Sequence, residues 1–279
     1  MKGDHPIRWL CELFEVAPSG YYRWRQGCAS ARRAEDAALA VKIAAAHRAS
    51  RGNYGSPRIV EELRAQGTRT SRRRCARLMR AQGIRGKKKH RRRPQTTDSG
   101  HGRPVAENLL ATRPKPTRPN QIWVTDITYV RTGEGWLYLA AILDLWSRRI
   151  VGWSCGATMH ASLVLAALRA ALARRRPPNG LLHHSDRGSQ YVDDDYLKAL
   201  AAAGLEPSMS RTGNPYDNAA MESFWSTLKT EADLESAVPT TRRHGELAVF
   251  DYIETFYNPT RRHSSLGYLS PAAFENQIN

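Results

Sequence analysis

The patterning of apolar residues changes near residue 120, and this change limits the folds open to the chain. β-branched and aromatic residues form runs at 121–130, 136–146 and 149–155, with short Gly- or Arg-containing turns between them. Runs of this length and composition are typical of strands, and short turns join strands that pair with their sequence neighbours. The sequence therefore predicts an antiparallel three-stranded meander.

After the meander, helix-like and strand-like segments alternate. The predicted order is a helix at about 160–175, a strand ending at Asp186, a helix at 191–203, a short strand at 205–210 and a longer helix beginning near Pro215. A meander followed by this alternation is typical of the RNase H-like α/β fold. We therefore predict that 120–279 forms a mixed five-stranded sheet with helices on both faces and a C-terminal helical tail.

The first part of the chain has helical periodicity instead. Residues 1–50 form an N-terminal helical segment, and 85–119 have the basic, Gly- and Pro-containing composition of a linker. Between them, residues 51–84 contain a helix with Pro57 in its first turn, a Gly-containing turn and a second, Arg-rich helix after Ser71, a predicted N-cap. This arrangement is typical of an all-α helix-turn-helix, although a helical hairpin with a charged face has the same pattern.

The positive charge is concentrated in the first part of the chain. Residues 1–120 hold 28 Lys and Arg against 9 Asp and Glu, whereas 121–279 hold 15 against 17. A basic arm of this kind favours a polyanionic partner such as nucleic acid. The run from Lys87 to Arg93 is the densest part of it.

Other classes of protein are disfavoured. No apolar run is long enough to span a bilayer, and the start of the chain lacks the apolar core of a signal peptide. The four cysteines are scattered without a C-x-x-C pair, which disfavours zinc fingers and disulfide scaffolds. We expect a cytoplasmic protein without a membrane partner.

Three acids occupy positions that suit a metal-dependent phosphoryl-transfer site. Asp126 lies within the first predicted strand, Asp186 ends a later strand, and Glu222 lies in a predicted helix, with 35 residues between the last two. A buried carboxylate is costly unless it is paired or binds a metal. Carboxylates from two strands and a helix can converge on two Mg²⁺ ions.

Each acid also has a simpler interpretation, as a hydrogen-bonded structural acid, a turn residue or surface charge. Asp144 is the main rival ligand, although a hydrogen bond to a turn backbone suits it better. Of the adjacent His183 and His184, at most one can face the site, and we interpret His184 as structural.

Several segments together resemble the insertion-sequence three group of bacterial transposases, and specifically its second-frame (OrfB-type) product in the DDE transposase and retroviral integrase superfamily. The resemblance covers nearly the whole chain. It rests on segments His47–Ile59, Trp123–Tyr129, His184–Tyr191, Ser208–Ala219, Glu222–Lys229 and Tyr257–Tyr268.

The resemblance implies a DNA transposase that uses two Mg²⁺ ions per active site, for which Mn²⁺ can substitute. Asp126, Asp186 and Glu222 would be the catalytic and metal-binding residues, and Lys229 would contact phosphate. The implied reaction is cleavage at transposon ends followed by strand transfer of the 3′-hydroxyl into target DNA. Partners would be double-stranded DNA, further copies of the chain on that DNA, and a first-frame DNA-binding protein or domain.

Further DNA contacts are predicted on the Arg-rich helix after Ser71, at the start of the helix that carries Glu222, and in the basic run from Lys87 to Arg93. These residues are Asn218, Arg72, Arg73, Arg74, Arg77, Lys87, Lys88, Lys89, Arg91, Arg92 and Arg93. Two other functions remain open from the sequence. One is a non-catalytic DNA-binding regulator of transposition, and the other is an RNase H-like nuclease that hydrolyses without joining.

Overall fold

The computed structural model describes residues 5–26, 31–88, 106–210 and 218–277. The chain divides into two compact units, Met1–Gly86 and Lys87–Asn279. Each unit has buried apolar side chains of its own, such as Ile43 and Leu63 in the first and Trp123 and Leu168 in the second. No helix within the described ranges is long and apolar enough to cross a membrane.

The first unit is helical in its described part. Its helices are α1 (Ile7–Leu13), α2 (Pro18–Arg25), α3 (Ala31–Ala49), α4 (Ser56–Ala65) and α5 (Arg72–Ala81).

The last two of these helices form the predicted helix-turn-helix region. Pro57 lies in the first turn of α4, where its missing N–H costs nothing, and the Ser71 side chain caps α5 by accepting from the Arg74 backbone N–H. Gly67, between the helices, has a φ of +77°, which L side chains rarely adopt. Because α3, α4 and α5 pack on one another, their apolar faces form the core of this unit.

The second unit is built on a mixed sheet. In its described residues the strands are β1 (Ile122–Thr132), β2 (Gly135–Asp144), β3 (Ile150–Gly156), β4 (Leu182–Ser185) and β5 (Glu206–Met209). They lie in the order β3-β2-β1-β4-β5. β1 pairs antiparallel with β2, and β2 with β3, whereas β4 runs parallel to both β1 and β5. The predicted meander and five-stranded RNase H-like sheet are therefore confirmed.

Helices and short turns cover the sheet and form the tail. They are α6 (Ala161–Arg175), a 3₁₀ turn (Ser189–Val192), α7 (Asp194–Ala202), α8 (Ala219–Glu231), α9 (Arg242–Phe250), a π-helix (Asp251–Tyr257), a 3₁₀ turn (Ser264–Leu266) and α10 (Pro271–Glu275).

Alternation along β1 separates the two faces of the sheet. Trp123 is buried in the core that includes α6, whereas Asp126 lies on the other face and meets α8. α6 packs very closely on β3, because a Cβ at Gly152 would lie 2.3 Å from the Ala167 carbonyl oxygen.

Two predicted helix starts differ from the structure. The helix predicted from 191 begins at Asp194, because the Asp193 side chain caps it and a 3₁₀ turn precedes it. The helix predicted near Pro215 has Asn218 as its N-cap and Ala219 as its first residue, and Pro215 itself lies outside the described residues.

Candidate active site

Asp126 lies in the middle of β1 with a hydrogen-bond donor at each carboxylate oxygen. The backbone N–H of Ile127 donates to Oδ1 at 2.9 Å, and the indole Nε1–H of Trp225 on α8 donates to Oδ2 at 3.0 Å. The central strand of the sheet is thereby joined to α8 through the side chain of an acid.

The charges around Asp126 show that the three acids lie near one another. The pKa of Asp126 is raised to about 7, mainly by burial and by the negative charge of Asp186, with a smaller contribution from Glu222, while the donors from Trp225 and Ile127 lower it. Carboxylates that repel one another in this way favour a bound cation or a proton.

Asp186 follows the last residue of β4. Because β4 runs parallel to β1, the carboxyl end of β4 points the same way along the sheet as that of β1. The backbone N–H of Gly188 donates to Asp186 Oδ1 at 2.9 Å. A Cβ at Gly188 would lie 3.1 Å from this oxygen and 2.5 Å from Gln190 Oε1, so the turn accommodates only glycine without a shift.

Glu222 lies in the first turn of α8 and its side chain is exposed. Its position on an exposed helix turn leaves its carboxylate free to take part in a shared site, whereas the packing face of α8 carries Met221, Phe224 and Trp225. These three apolar side chains are buried.

Over the described ranges, no group of three or more His, Cys, Asp or Glu side chains is arranged closely enough to hold a metal ion. The donor set nevertheless fits Mg²⁺, which prefers carboxylate oxygens. The buried carboxylate of Asp126 supports this fit, because each of its oxygens accepts one hydrogen bond and keeps a further lone pair for a cation, which would also offset the repulsion from Asp186 and Glu222.

Lys229 lies two turns after Glu222 on the same helix. Its ammonium stands 5.2 Å from the centre of the Tyr129 ring on β1, which in turn makes an edge contact with Trp136. Burial lowers the pKa of Lys229, while the charges of Glu235 and Asp126 raise it. The lysine is therefore held beside the acids by an aromatic face.

Asp144 has a structural role. It is fully buried at the end of β2 and accepts from the backbone N–H groups of Trp146, Ser147 and Asn120. The turn that joins β2 to β3 uses this carboxylate as its acceptor, which is the interpretation that the sequence favoured.

The two histidines of β4 are also structural. His184 Nδ1 and Nε2 lie 2.9 Å and 3.0 Å from the hydroxyl oxygens of Ser208 and Ser210, and His183 Nε2 lies 2.7 Å from the Tyr196 hydroxyl. His184 joins β4 to the end of β5, as the structural interpretation required.

Two residues at the site were not predicted. Trp225 packs on the apolar face of α8 and also donates a hydrogen bond to Asp126. Tyr191 is buried near Asp186 and Asp126, and its pKa is raised well above the usual value by burial and by those charges, so it stays a neutral phenol. In the sequence, Tyr191 lies five residues after Asp186, and this short separation is the sequence feature that could have placed it near the site.

The four arginines of α5 that were predicted to contact DNA fall into two groups. Arg72 and Arg73 are exposed. Arg74 and Arg77 instead form ion pairs of 2.7 Å and 2.6 Å with Asp36 of α3. Their guanidinium groups therefore brace the helical unit, and DNA contact by any of the four stays a prediction.

The remaining predicted DNA contacts are spread more widely. Lys87 pairs with Asp233 at 2.6 Å and donates to the Glu231 carbonyl oxygen, whereas Lys88 is exposed. Asn218 lies at the N-cap of α8 without making a side-chain cap. The residues Lys89, Arg91, Arg92 and Arg93 lie outside the described residues.

Three protein-family models match the chain. Integrase core domain models match residues 116–215 and 203–271, and an HTH-like domain model matches residues 33–93. These spans cover most of both units.

Relatives among known proteins match nearly full length. Transposase InsF for insertion sequence IS3A of Escherichia coli K12 is 42% identical over 99% of this chain and 96% of its own. The chain belongs to the IS3 family of transposases. An uncharacterised 31 kDa protein of insertion element IS600 from Shigella sonnei is 48% identical over 97% of this chain and 98% of its own. As an IS3-family member, the chain is a polynucleotidyl transferase of the transposase and integrase type.

Solved integrase structures are more distant. A simian T-cell lymphotropic virus intasome is 17% identical over 73% of this chain and 66% of its own, with a TM-score of 0.45. The HTLV-2 integrase catalytic core in complex with magnesium is 15% identical over 57% of this chain and 98% of its own, with a TM-score of 0.44. Similarity at this level carries no argument about the activity of this family member.

Proposed function

We propose that this chain is the catalytic subunit of a DNA transposase that cleaves at transposon ends and joins the freed 3′-hydroxyl to target DNA. The observation that carries the proposal is the position of Asp126 on β1, where the negative charges of Asp186, just after β4, and of Glu222, on α8, both act on its carboxylate. Acids brought together from distant parts of a chain, in a family of transposases, are best explained by a shared function.

Asp126, Asp186 and Glu222 would hold two Mg²⁺ ions, for which Mn²⁺ can substitute. Bound there, the ions would activate the attacking oxygen and stabilise the charge that develops on the phosphoryl group. In cleavage, a water oxygen attacks phosphorus and the 3′-oxygen leaves and takes up a proton. In joining, that hydroxyl attacks a target phosphate, and the target's own 3′-oxygen leaves.

Lys229 would bind a DNA phosphate beside the acids. Its ammonium lies over the Tyr129 ring and forms no ion pair within the described part of the chain, so its three N–H groups can donate to a phosphate. Asn218, at the N-terminus of the same helix, would lie next to the DNA that Glu222 faces.

The basic first part of the chain and the near-neutral second part would have different functions. Residues 51–84 would bind DNA as a helix-turn-helix, 85–119 would act as a basic linker, and 120–279 would carry the chemistry. Of the four arginines of α5 that are predicted to contact DNA, Arg72 and Arg73 are exposed and form no ion pair within the described residues. Synapsis of two transposon ends favours a homo-oligomer on DNA, together with a first-frame partner for recognition of the ends.

A strand-transfer assay tests the proposal. A labelled, pre-cleaved duplex carrying the terminal repeats of the element is incubated with a plasmid target and Mg²⁺ or Mn²⁺. Wild type is compared with Asp186→Asn and with Asp194→Asn, a matched change at an exposed acid of α7. We expect joined product from wild type and Asp194→Asn and none from Asp186→Asn.

The other functions give different results in the same assay. Hydrolysis of the duplex or the plasmid without joining, at saturating Mg²⁺ or Mn²⁺ and in the presence of a first-frame partner, would indicate a nuclease. DNA binding with neither cleavage nor joining under those conditions would indicate a regulator. Either result would overturn the proposal.

A further inference from the structure

The indole of Trp225 lies between α8 and β1. Trp225 is 6% exposed, its ring packs against Phe224 with ring centres 4.8 Å apart, and its N–H donates to Asp126 Oδ2. The indole would be buried to the same extent without its hydrogen bond to Asp126. The direction of its N–H toward the carboxylate is therefore a feature separate from packing.

The bond fixes the plane of the Asp126 carboxylate. With Ile127 N–H at Oδ1 and Trp225 at Oδ2, each oxygen is held by one donor and retains further lone-pair capacity for a cation. Without the indole N–H, only one oxygen is held and the carboxylate can turn about its terminal torsion, which has a broad preference.

The bond also sets the position of the helix that carries Glu222. Residues 222 and 225 are three apart on α8, so their side chains are neighbours on the helix surface. Because Trp225 is bonded to Asp126, Glu222 lies about one helical turn along α8 from the residue that contacts the acid on β1. A single contact thus relates the first acid of the site to the third.

We propose that Trp225 is a positioning residue that orients Asp126 and places Glu222 for divalent cation binding. This inference rests on the proposed function, because it requires that the acids bind a cation. Trp225 itself touches neither the cation nor DNA in this scheme.

Loss of the indole N–H is tested by Trp225→Phe in the full chain. The matched control is Trp153→Phe, because Trp153 Nε1 donates to Glu254 Oε1 at 2.8 Å, a bond from β3 to the π-helix that involves none of the three acids. Mn²⁺ affinity is measured by calorimetry and by electron paramagnetic resonance of free Mn²⁺. Residues that orient a metal ligand typically change affinity by about 10- to 100-fold, so we expect roughly tenfold weaker binding for Trp225→Phe and unchanged binding for Trp153→Phe.

A second replacement separates the hydrogen bond from the packing. Incorporation of 3-benzothienylalanine at position 225 keeps the bicyclic shape and replaces the N–H with sulfur. We expect it to weaken Mn²⁺ binding as Trp225→Phe does, while the unfolding temperature without metal stays close to that of wild type. Wild-type affinity in this protein would overturn the positioning role.

Binding by wild type and by Asp186→Asn separates this inference from the proposed function. Equal binding by those two proteins, or no binding by either, would overturn the proposed site and the role of Trp225 with it. If Asp186→Asn abolishes Mn²⁺ binding but both replacements at position 225 leave it unchanged, the positioning role alone is overturned.

Discussion

The stability of the chain without divalent cations should depend on the ionisation of Asp126. The pKa of Asp126 is raised from 3.8 to about 7 in the folded chain, mainly by burial and by the charge of Asp186. Because the folded state keeps a proton that the unfolded state has lost, the free energy of unfolding falls as pH rises between these values. The stabilisation that comes from protonated Asp126 is fully present below its pKa in the unfolded chain, 3.8, and is lost once the pH passes about 7.

The size of the effect follows from the same shift. Between pH 5 and pH 8, the unfolded state is ionised throughout, and the folded state ionises near pH 7. The free energy of unfolding therefore changes over about two pH units, from pH 5 to about pH 7. At 1.36 kcal/mol per unit, it should fall by about 3 kcal/mol.

Urea unfolding in EDTA, followed by tryptophan fluorescence from pH 5 to 8, measures this effect. The fluorescence reports mainly on the second unit, which holds five of the seven tryptophans. The difference between wild type and Asp126→Asn removes the contributions of other titrating groups and any constant cost of the amide. Asp194→Asn, at an exposed acid, is the control.

We expect the stability of wild type relative to Asp126→Asn to decrease by about 3 kcal/mol across this range, and saturating Mg²⁺ to abolish most of the change. The stability of wild type relative to Asp194→Asn should stay constant. Parallel curves for wild type and Asp126→Asn in EDTA would refute the reasoning, because they would mean that the acid is not desolvated and not repelled by its neighbours.

Three further predictions concern other parts of the chain. Lys229→Ala should weaken binding of transposon-end DNA in fluorescence anisotropy and leave Mn²⁺ affinity nearly intact, whereas equal loss of both would contradict a phosphate contact. Arg261→Met should cost about 3–5 kcal/mol in urea unfolding, because it leaves the buried carboxylate of Glu231 without its ion-pair partner at 2.6 Å, and adding Glu231→Met should restore most of it. Arg72→Gln combined with Arg73→Gln should reduce the salt slope of DNA binding by about 2, and an unchanged slope would exclude both residues as phosphate contacts.

Local patterns predicted the sheet and its order of elements well. Ser71 was predicted as an N-cap and caps α5, and the meander strands lie within two residues of their predicted ends. These features depend on alternation, turn residues and capping, which act over a few residues. The three acids were predicted in the same way, because each lies at a strand or helix position that a pattern marks, and their catalytic role stays a prediction.

Contacts between distant residues could not be predicted from such patterns. The Lys87–Asp233 pair joins residues 146 apart, and the bond from Trp225 to Asp126 joins residues 99 apart. A lysine in a basic run and a tryptophan in an apolar stripe have ordinary local explanations. Only the folded chain shows that each also has a polar partner.

The parallel pairing of β1 has a consequence for synthesis of the chain. β2 follows β1 after a short turn and can pair with one edge at once, whereas Ile122 on the other edge pairs with Leu182, 60 residues later. While the ribosome makes the intervening segment, the open edge of β1 presents unpaired N–H and C=O groups in an apolar strand, which is a template for aggregation. Slow translation between β3 and β4 should therefore lower the yield of folded protein more than slow translation after β5.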